Sequence, residues 1–227
     1  MDFLYNSLVY YTIFNATYYI SSAIVALYDY KYNYDDKNNT NDTNYLNKIQ
    51  QIDLNEIVTT YKKIIPTVML NTFVYSLPII LYAGYYDTYI MTLPFDYKKC
   101  FLDLCFAFIC IDPFFYFSHR LLHHKFLYNT LHKKHHEITK PIGMAALYST
   151  GIEFYVGNIF PIFLPLYIVT THPITLKIWT IFVIVNTIFF SHSGYKKMAD
   201  FHDKHHQYFN TNFGTDMYVD KLMGTYM

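Results

Sequence analysis

The chain has 227 residues, 53% of them hydrophobic and 21% aromatic, and its formal net charge is zero. Neutrality leaves no electrostatic footprint for a nucleic-acid partner. The three cysteines, Cys100, Cys105 and Cys110, stand about 140° apart in succession around a helix and imply no disulfide framework.

Long apolar stretches separate polar islands, which is the pattern of a membrane protein. Residues 3–27 are apolar with scattered Asn, Ser and Thr; they lack a basic leader and a small-residue cleavage pattern, so they predict a retained membrane helix. Residues 29–56, with the run DDKNNTNDTN, predict a solvated loop, disordered in part. Residues 64–86 predict a second membrane segment, with Pro66 near its start and Pro78 as a kink. A short loop over 87–99 returns the chain. Residues 100–117 form a third segment carrying Asp103 and Asp112. An ionisable residue in a membrane helix is expensive. Asp112 lies two turns before His119 and either orients a ligand imidazole or pairs with Lys or Arg120 near the interface. Residues 154–170 and 174–190 are apolar runs joined by Thr171-His172-Pro173, a hairpin that enters the bilayer and returns with His172 at its apex.

The expected fold is therefore all-α: an integral membrane protein of four to five hydrophobic helical segments with a cytosolic, histidine-rich helical cap. Residues 1–99 supply membrane segments and the polar loop, and residues 100–227 a metal-binding domain with the hairpin at 154–190. Lys125, Lys133, Lys134, Lys140, Lys196, Lys197, Lys204 and Lys221 flank the histidines, which puts that face in the cytosol. Counting back places the 29–63 loop there too, so Asn38 and Asn41 sit on the wrong side for glycosylation.

Nine of the eleven histidines form an ordered set. They are His119 and His123 (H-x3-H), His132, His135 and His136 (H-x2-H-H), His192 (H-S-G), and His202, His205 and His206 (H-x2-H-H again). Residues three and four apart share a helix face, so each triplet is expected to converge. Imidazole binds Zn, Fe, Cu and Ni, and one ion takes about four ligands; nine candidates point to two ions held close together. His124 points about 100° away from His123, and His172 lies at the far end of the hairpin; both are expected to be dispensable. An all-histidine site brings no ligand charge and suits a metal that cycles oxidation state and binds dioxygen. A zinc hydrolase with Glu137 as base stays open as a rival. None of the seven glycines forms a dinucleotide-binding fingerprint, so an oxidase built from this chain needs electrons from a partner.

From Asp112 to Thr225 the chain resembles the fatty acid hydroxylase / sterol desaturase superfamily. Asp112-Pro113-Phe114-Phe115-Tyr116 before His119-Arg120 resembles the entry to its first histidine box, and residues 132–137 resemble the second. Ser191-His192-Ser193-Gly194-Tyr195 is similar to the sterol-type H-S-G-Y. Residues 202–206 with Phe209-Asn210-Thr211-Asn212-Phe213 resemble the third box and its tail, and Asp220-Lys221-Leu222-Met223-Gly224-Thr225 the closing D-x-x-x-G-T. Pro141-Ile142-Gly143-Met144 is similar to C-4 methylsterol oxidases, whereas Tyr148-Ser149-Thr150-Gly151 lacks their next histidine. In that loss, and in Thr171-His172-Pro173-Ile174-Thr175 and the F-N-x-N-F pattern, the chain resembles cholesterol 25-hydroxylases.

The resemblance implies a membrane-bound diiron, O2-dependent lipid hydroxylase of the endoplasmic reticulum. Zinc is a possible substitute for iron in a purified sample, and cytochrome b5 with its reductase is an expected electron donor. A sterol is the expected substrate. A fatty acyl or sphingoid chain on the same chemistry, a membrane metallohydrolase, and a non-catalytic sterol-binding protein are the alternatives.

Overall fold

The computed structural model describes residues 2–35, 48–196 and 198–227. Nine α-helices, α1 to α9, and several wider π-helical turns occur among them. The run DDKNNTNDTN lies mostly, and Asn38, Asn41 and Lys197 wholly, outside the described residues.

Helix α1 (Phe3–Asp35) is a single rod of 33 residues. Asn6, Tyr10, Phe14, Tyr18, Val25 and Asp29 make its buried stripe, at the spacing of one helix face. It lies against α3 (Leu77–Tyr85) and α7 (Pro173–Asn186). The α1–α3 approach is close enough that a Cβ on Gly84 would meet the Ser7 amide nitrogen at 2.8 Å and its Cα at 2.9 Å.

Among the described residues, four stretches are long and apolar enough to cross a membrane: Leu54–Ile90, Tyr97–Leu122, Gly151–Ile168 and Pro173–Ser191. The first comprises α2 (Leu54–Met69), α3 and two π turns, Leu70–Tyr75 and Tyr86–Ile90. The break falls at Ser76, just before Pro78, whose missing N–H is harmless in the first turn of α3. The second is α4 (Tyr97–Leu122), started by Asp96, whose carboxylate accepts from the Lys98 and Lys99 amides. The third runs from α5 (Gly151–Glu153) through the π turn Phe154–Ile159 to α6 (Phe160–Ile168). The fourth is α7 followed by the π turn Thr187–Ser191. The third and fourth are the two arms of the hairpin, and the fully buried Trp179 of one donates its indole N–H to the Ile162 carbonyl of the other. Two short helices, α8 (Asp200–Tyr208) and α9 (Met217–Met223), complete the histidine end. The protein is thus all-helical and of multi-pass membrane type. The buried polar groups on α1, among them Asn6, Asn15, Ser21 and Ser22, leave that helix out of the four most apolar stretches.

Two expectations need correction. The segment after residue 28 does not leave the helix as a loop: α1 continues to Asp35, and Asp29 is fully buried. Its charge is compensated by Lys48 at 2.7 Å and by the Tyr195 hydroxyl at 2.8 Å, partners that are distant in sequence. The loop also ends before Glu56, because Asp53 caps α2 by accepting from the Glu56 amide. At the end away from the histidines, Asp103 pairs with Lys99 and accepts from the Thr171 hydroxyl, while Asp87 pairs with Lys177. These contacts close the turn between the hairpin arms.

Candidate metal centre

Each histidine is delivered by a specific local structure. His119 sits in the last turn of α4 and His123 at its C-cap. The π turn Tyr128–His132 ends on His132, and the tight 3-10 turn His135–Glu137 carries the next two. His192 follows the π turn Thr187–Ser191, and α8 supplies His202, His205 and His206. Such wide turns are uncommon and recur at functional sites; here two of the three histidine-bearing connections use one.

The nine side chains come together as two adjacent nests. His119, His123, His132, His136 and His205 form one; His135, His192, His202 and His206 form the other, and within each the facing nitrogens lie within 4.8 Å of one another. The triplets do not converge as their spacing suggested. On a helix, positions i and i+4 differ by about 40°, but i+3 and i+4 differ by about 100°. The second box accordingly gives its i and i+4 members, His132 and His136, to the first nest and His135 to the second. The third box does the reverse: His202 and His206 enter the second nest and His205 the first. Each triplet therefore straddles both nests.

The ring nitrogens turned away from the nests settle the tautomers. Nδ1 of His119 meets the Phe213 carbonyl at 2.8 Å, Nδ1 of His205 that of Thr211 at 2.7 Å, and Nδ1 of His132 meets Glu153 Oε1 at 2.6 Å. In the other nest, Nδ1 of His135 meets the Tyr148 carbonyl at 3.2 Å and Nδ1 of His192 that of Thr187 at 3.1 Å. Each carbonyl requires the proton on Nδ1, and so does Glu153 when ionised, which leaves Nε2 with a bare lone pair. Yet two of these bare nitrogens, Nε2 of His119 and His132, face each other at 3.1 Å; Nε2 of His136 lies 3.0 Å from that of His132, and Nε2 of His123 3.1 Å from that of His205. Lone pairs aimed at one point repel unless a cation lies between them. Nitrogens about 2.1 Å from a common ion stand about 3.0 Å apart at right angles and about 3.4 Å apart at the tetrahedral angle. The second nest shows 3.1 Å between His202 and His206 and 3.4 Å between His135 and His192. Donor type, tautomer and spacing all fit two metal ions.

Electrostatics agree. Burial, reinforced by neighbouring imidazoles, pushes His123 and His192 down to about 3, and burial alone pushes His135 down to about 4. His132, His136, His202, His205 and His206 are held well below the usual histidine range for the same reasons. The rings are neutral at physiological pH, the state a ligand needs.

Residues near the nests have different roles from those expected. His124 is exposed, and His172 caps α7 by accepting from the Ile174 amide, so neither joins a nest. Glu137 is tied to Lys63 at 2.8 Å and to the Tyr148 hydroxyl at 3.0 Å, outside both nests, which removes the base from the hydrolase alternative. Asp112 touches neither an imidazole nor Arg120. It accepts from the Asp216 and Val219 amides at 2.9 and 3.0 Å, and Asp220 accepts from the Phe213 and Gly214 amides. Together they fold the C-terminal segment so that the Phe213 carbonyl reaches His119. Glu153 escaped the sequence reading, although an acidic residue heading an apolar run was a visible signal.

Both nests open on one cavity. His119, His132, His135, His192 and His202 line it together with Phe115, Leu122, Ile162, Phe182 and Val183. It lies between α4, α6 and α7, helices of the membrane type.

Known proteins resemble the segment that carries these histidines. The model of the fatty acid hydroxylase family matches residues 104–225. Fatty acid hydroxylase domain-containing protein 2 of Homo sapiens is 33% identical over 199 residues, 82% of this chain and 59% of that protein. Methylsterol monooxygenase 1 of Gallus gallus is 34% identical over 183 residues, 72% of this chain and 60% of its own length. Fatty acid hydroxylase ahd1 of Mycosarcoma maydis is 34% identical over 186 residues, 73% of this chain and 45% of its own. The chain thus spans between about half and three fifths of these relatives. No solved structure matches it significantly.

Proposed function

The chain belongs to the fatty acid hydroxylase family, and on that premise we propose that it is a membrane-bound, diiron, O2-dependent monooxygenase acting on a sterol. The observation that carries this reading is the pair of nests of histidines, five of them held with Nε2 bare, that open on one cavity among the apolar helices. Residues 100–227 would form the metal-binding domain and residues 1–99 the accompanying membrane segments.

All nine histidines, His119, His123, His132, His135, His136, His192, His202, His205 and His206, would serve as ligands. Two iron ions, when bound, supply the binding and reduction of dioxygen. The remaining work falls to the chain. The carbonyls of Phe213, Thr211, Tyr148 and Thr187 hold the imidazoles in the ligating tautomer. Glu153 does the same for His132 with a carboxylate, and a negative partner raises the basicity of the ring it holds. Phe115, Leu122, Ile162 and Phe182 keep water away from the alkyl group to be oxidised. The overall change is C–H to C–OH: one atom of O2 enters the lipid and the other leaves as water, with two electrons and two protons taken up. The electrons come from an external donor protein such as cytochrome b5 with its reductase, since the sequence has no dinucleotide fingerprint. The lysines around the histidines favour a cytosolic cap in the endoplasmic reticulum membrane, where such a donor can dock.

The relatives named as fatty acid hydroxylases support a second reading, in which the same chemistry acts on a fatty acyl or sphingoid chain. Lipid profiling of sterol-fed cells that express wild type or His135→Ala separates the two. A new oxidised sterol in wild type alone supports the first reading, and an oxidised acyl or sphingoid lipid the second. No oxidised lipid in either sample argues against both.

A further inference from the structure

Two side chains in the histidine-lined cavity have no work in the fold. Asn158, in the π turn after Glu153, and Asn186, at the end of α7, both line it, and both are half-buried. Other carboxamides among the apolar helices are engaged: Asn6 donates to the Thr88 hydroxyl, Asn15 to the Tyr11 carbonyl, and Asn71 to the carbonyls of Leu147 and Ser149. The side chains of Asn158 and Asn186 make no hydrogen bond among the described residues. Their polar atoms stay open to the cavity and can bond a molecule that enters it.

Their position along the cavity is specific. Asn186 directly precedes Thr187, whose carbonyl holds His192. Asn158 lies five residues after Glu153, which holds His132. Both amides are therefore at the histidine end. Beyond them, Asn158, Ile162 and Val183 also line a second cavity, which shares Phe14, Ile159 and Phe163 as walls with a third. Away from Asn158 the lining is mostly aliphatic and aromatic. A molecule that fills this series meets hydrogen-bonding groups next to the nests and apolar walls further on.

Resting on the lipid-hydroxylase reading above, we propose that Asn158 and Asn186 are specificity-determining residues that bind the polar group of an amphipathic lipid beside the metal centre. The substrate is then a lipid with a hydroxyl or amide within two or three bonds of the oxidised carbon, its apolar body lying in the further cavities. A 4-methyl-3-hydroxysterol oxidised at its methyl group has this layout. A sterol oxidised at the far tip of its side chain does not, because its hydroxyl would face the apolar end.

The test is binding to the purified, detergent-solubilised full chain, read by displacement of a tritiated 4,4-dimethyl-3-hydroxysterol. The competitors are the unlabelled sterol, its 3-deoxy analogue, and a ceramide paired with its N-methylated form. Wild type should prefer one hydroxylated or amide lipid over its masked analogue by about tenfold or more, the scale of two hydrogen bonds. In Asn158→Leu and Asn186→Leu, and most clearly in the double variant, this preference should fall to about twofold or less with metal content unchanged. Replacement removes no internal bond, and metal content reports folding. Wild type that binds masked and unmasked lipids alike overturns the proposal without any variant. So does a preference that survives the double substitution. Oxygen-dependent oxidation of some lipid by such a wild type would leave the hydroxylase reading standing.

Discussion

Glu153→Gln is the most informative single substitution. Glu153 Oε1 lies 2.6 Å from His132 Nδ1, and its second oxygen, Oε2, is buried with no hydrogen-bond partner. With a cation behind the imidazole, the carboxylate makes a charge-assisted bond, roughly twice as strong as the neutral one left by glutamine. The difference is about 1.4 to 2.7 kcal/mol, the ten- to hundredfold loss of affinity typical when a buttress to a metal ligand is removed. The metal-free fold should lose nothing and gain slightly, because a half-satisfied buried carboxylate is costly by itself. Metal affinity of the purified protein, measured by chelator competition with Co(II), should weaken at one of two sites while the other keeps its affinity. Thermal unfolding of the metal-free protein should be unchanged or raised. If both sites bind as in wild type, within about twofold, Glu153 does not orient a ligand.

Four further outcomes follow from the same geometry. His135→Ala should lower metal content from two ions per chain to about one, since it empties only the four-histidine nest; His124→Ala and His172→Ala should leave the count unchanged. The metal-free chain should be insensitive to pH above the ordinary histidine value of 6.5 and lose stability below it. The unfolded chain takes up protons there that the buried rings refuse, down to about 4 for His135 and about 3 for His123 and His192. The loss is about 1.4 kcal/mol per pH unit for each ring, and denaturation at pH 8, 6 and 5 measures it; a flat profile would mean the rings are not buried as neutral groups. Gly84→Ala should cost about 1 to 3 kcal/mol through overpacking of α1 on α3, seen as a lower melting temperature with metal content preserved in the folded fraction.

Much of the architecture was readable in the sequence, because hydropathy and helical spacing are local properties. The hairpin arms, the third segment and the histidine motifs stand out without any knowledge of neighbours. What escaped depends on partners distant along the chain. Asp29 reads as the start of a loop until Lys48 and Tyr195 are seen around it. Asp112 reads as a partner for a side chain two turns away, but its partners are backbone amides more than a hundred residues on. Glu153 stands one residue before the apolar run assigned to the hairpin, so its link to His132 across 21 residues was invisible. The division of each triplet between two nests depends on which elements face its i+3 and i+4 sides, and the π and 3-10 turns of the second box carry no clear sequence mark. Asn158 and Asn186 interrupt apolar stretches at unrelated places in the sequence, and only the cavity brings them together.

The most direct test of a two-metal lipid monooxygenase is the origin of the oxygen in its product. Membranes containing the wild-type chain, supplied with iron, cytochrome b5, its reductase and a 4-methylsterol, are incubated under 18O2 in ordinary water, and the lipids are analysed by mass spectrometry. The account predicts a hydroxylated sterol carrying one 18O atom, none of it from labelled water in the reciprocal experiment, and no product with His135→Ala. Product oxygen derived from water, or an unchanged product yield under argon, would contradict it.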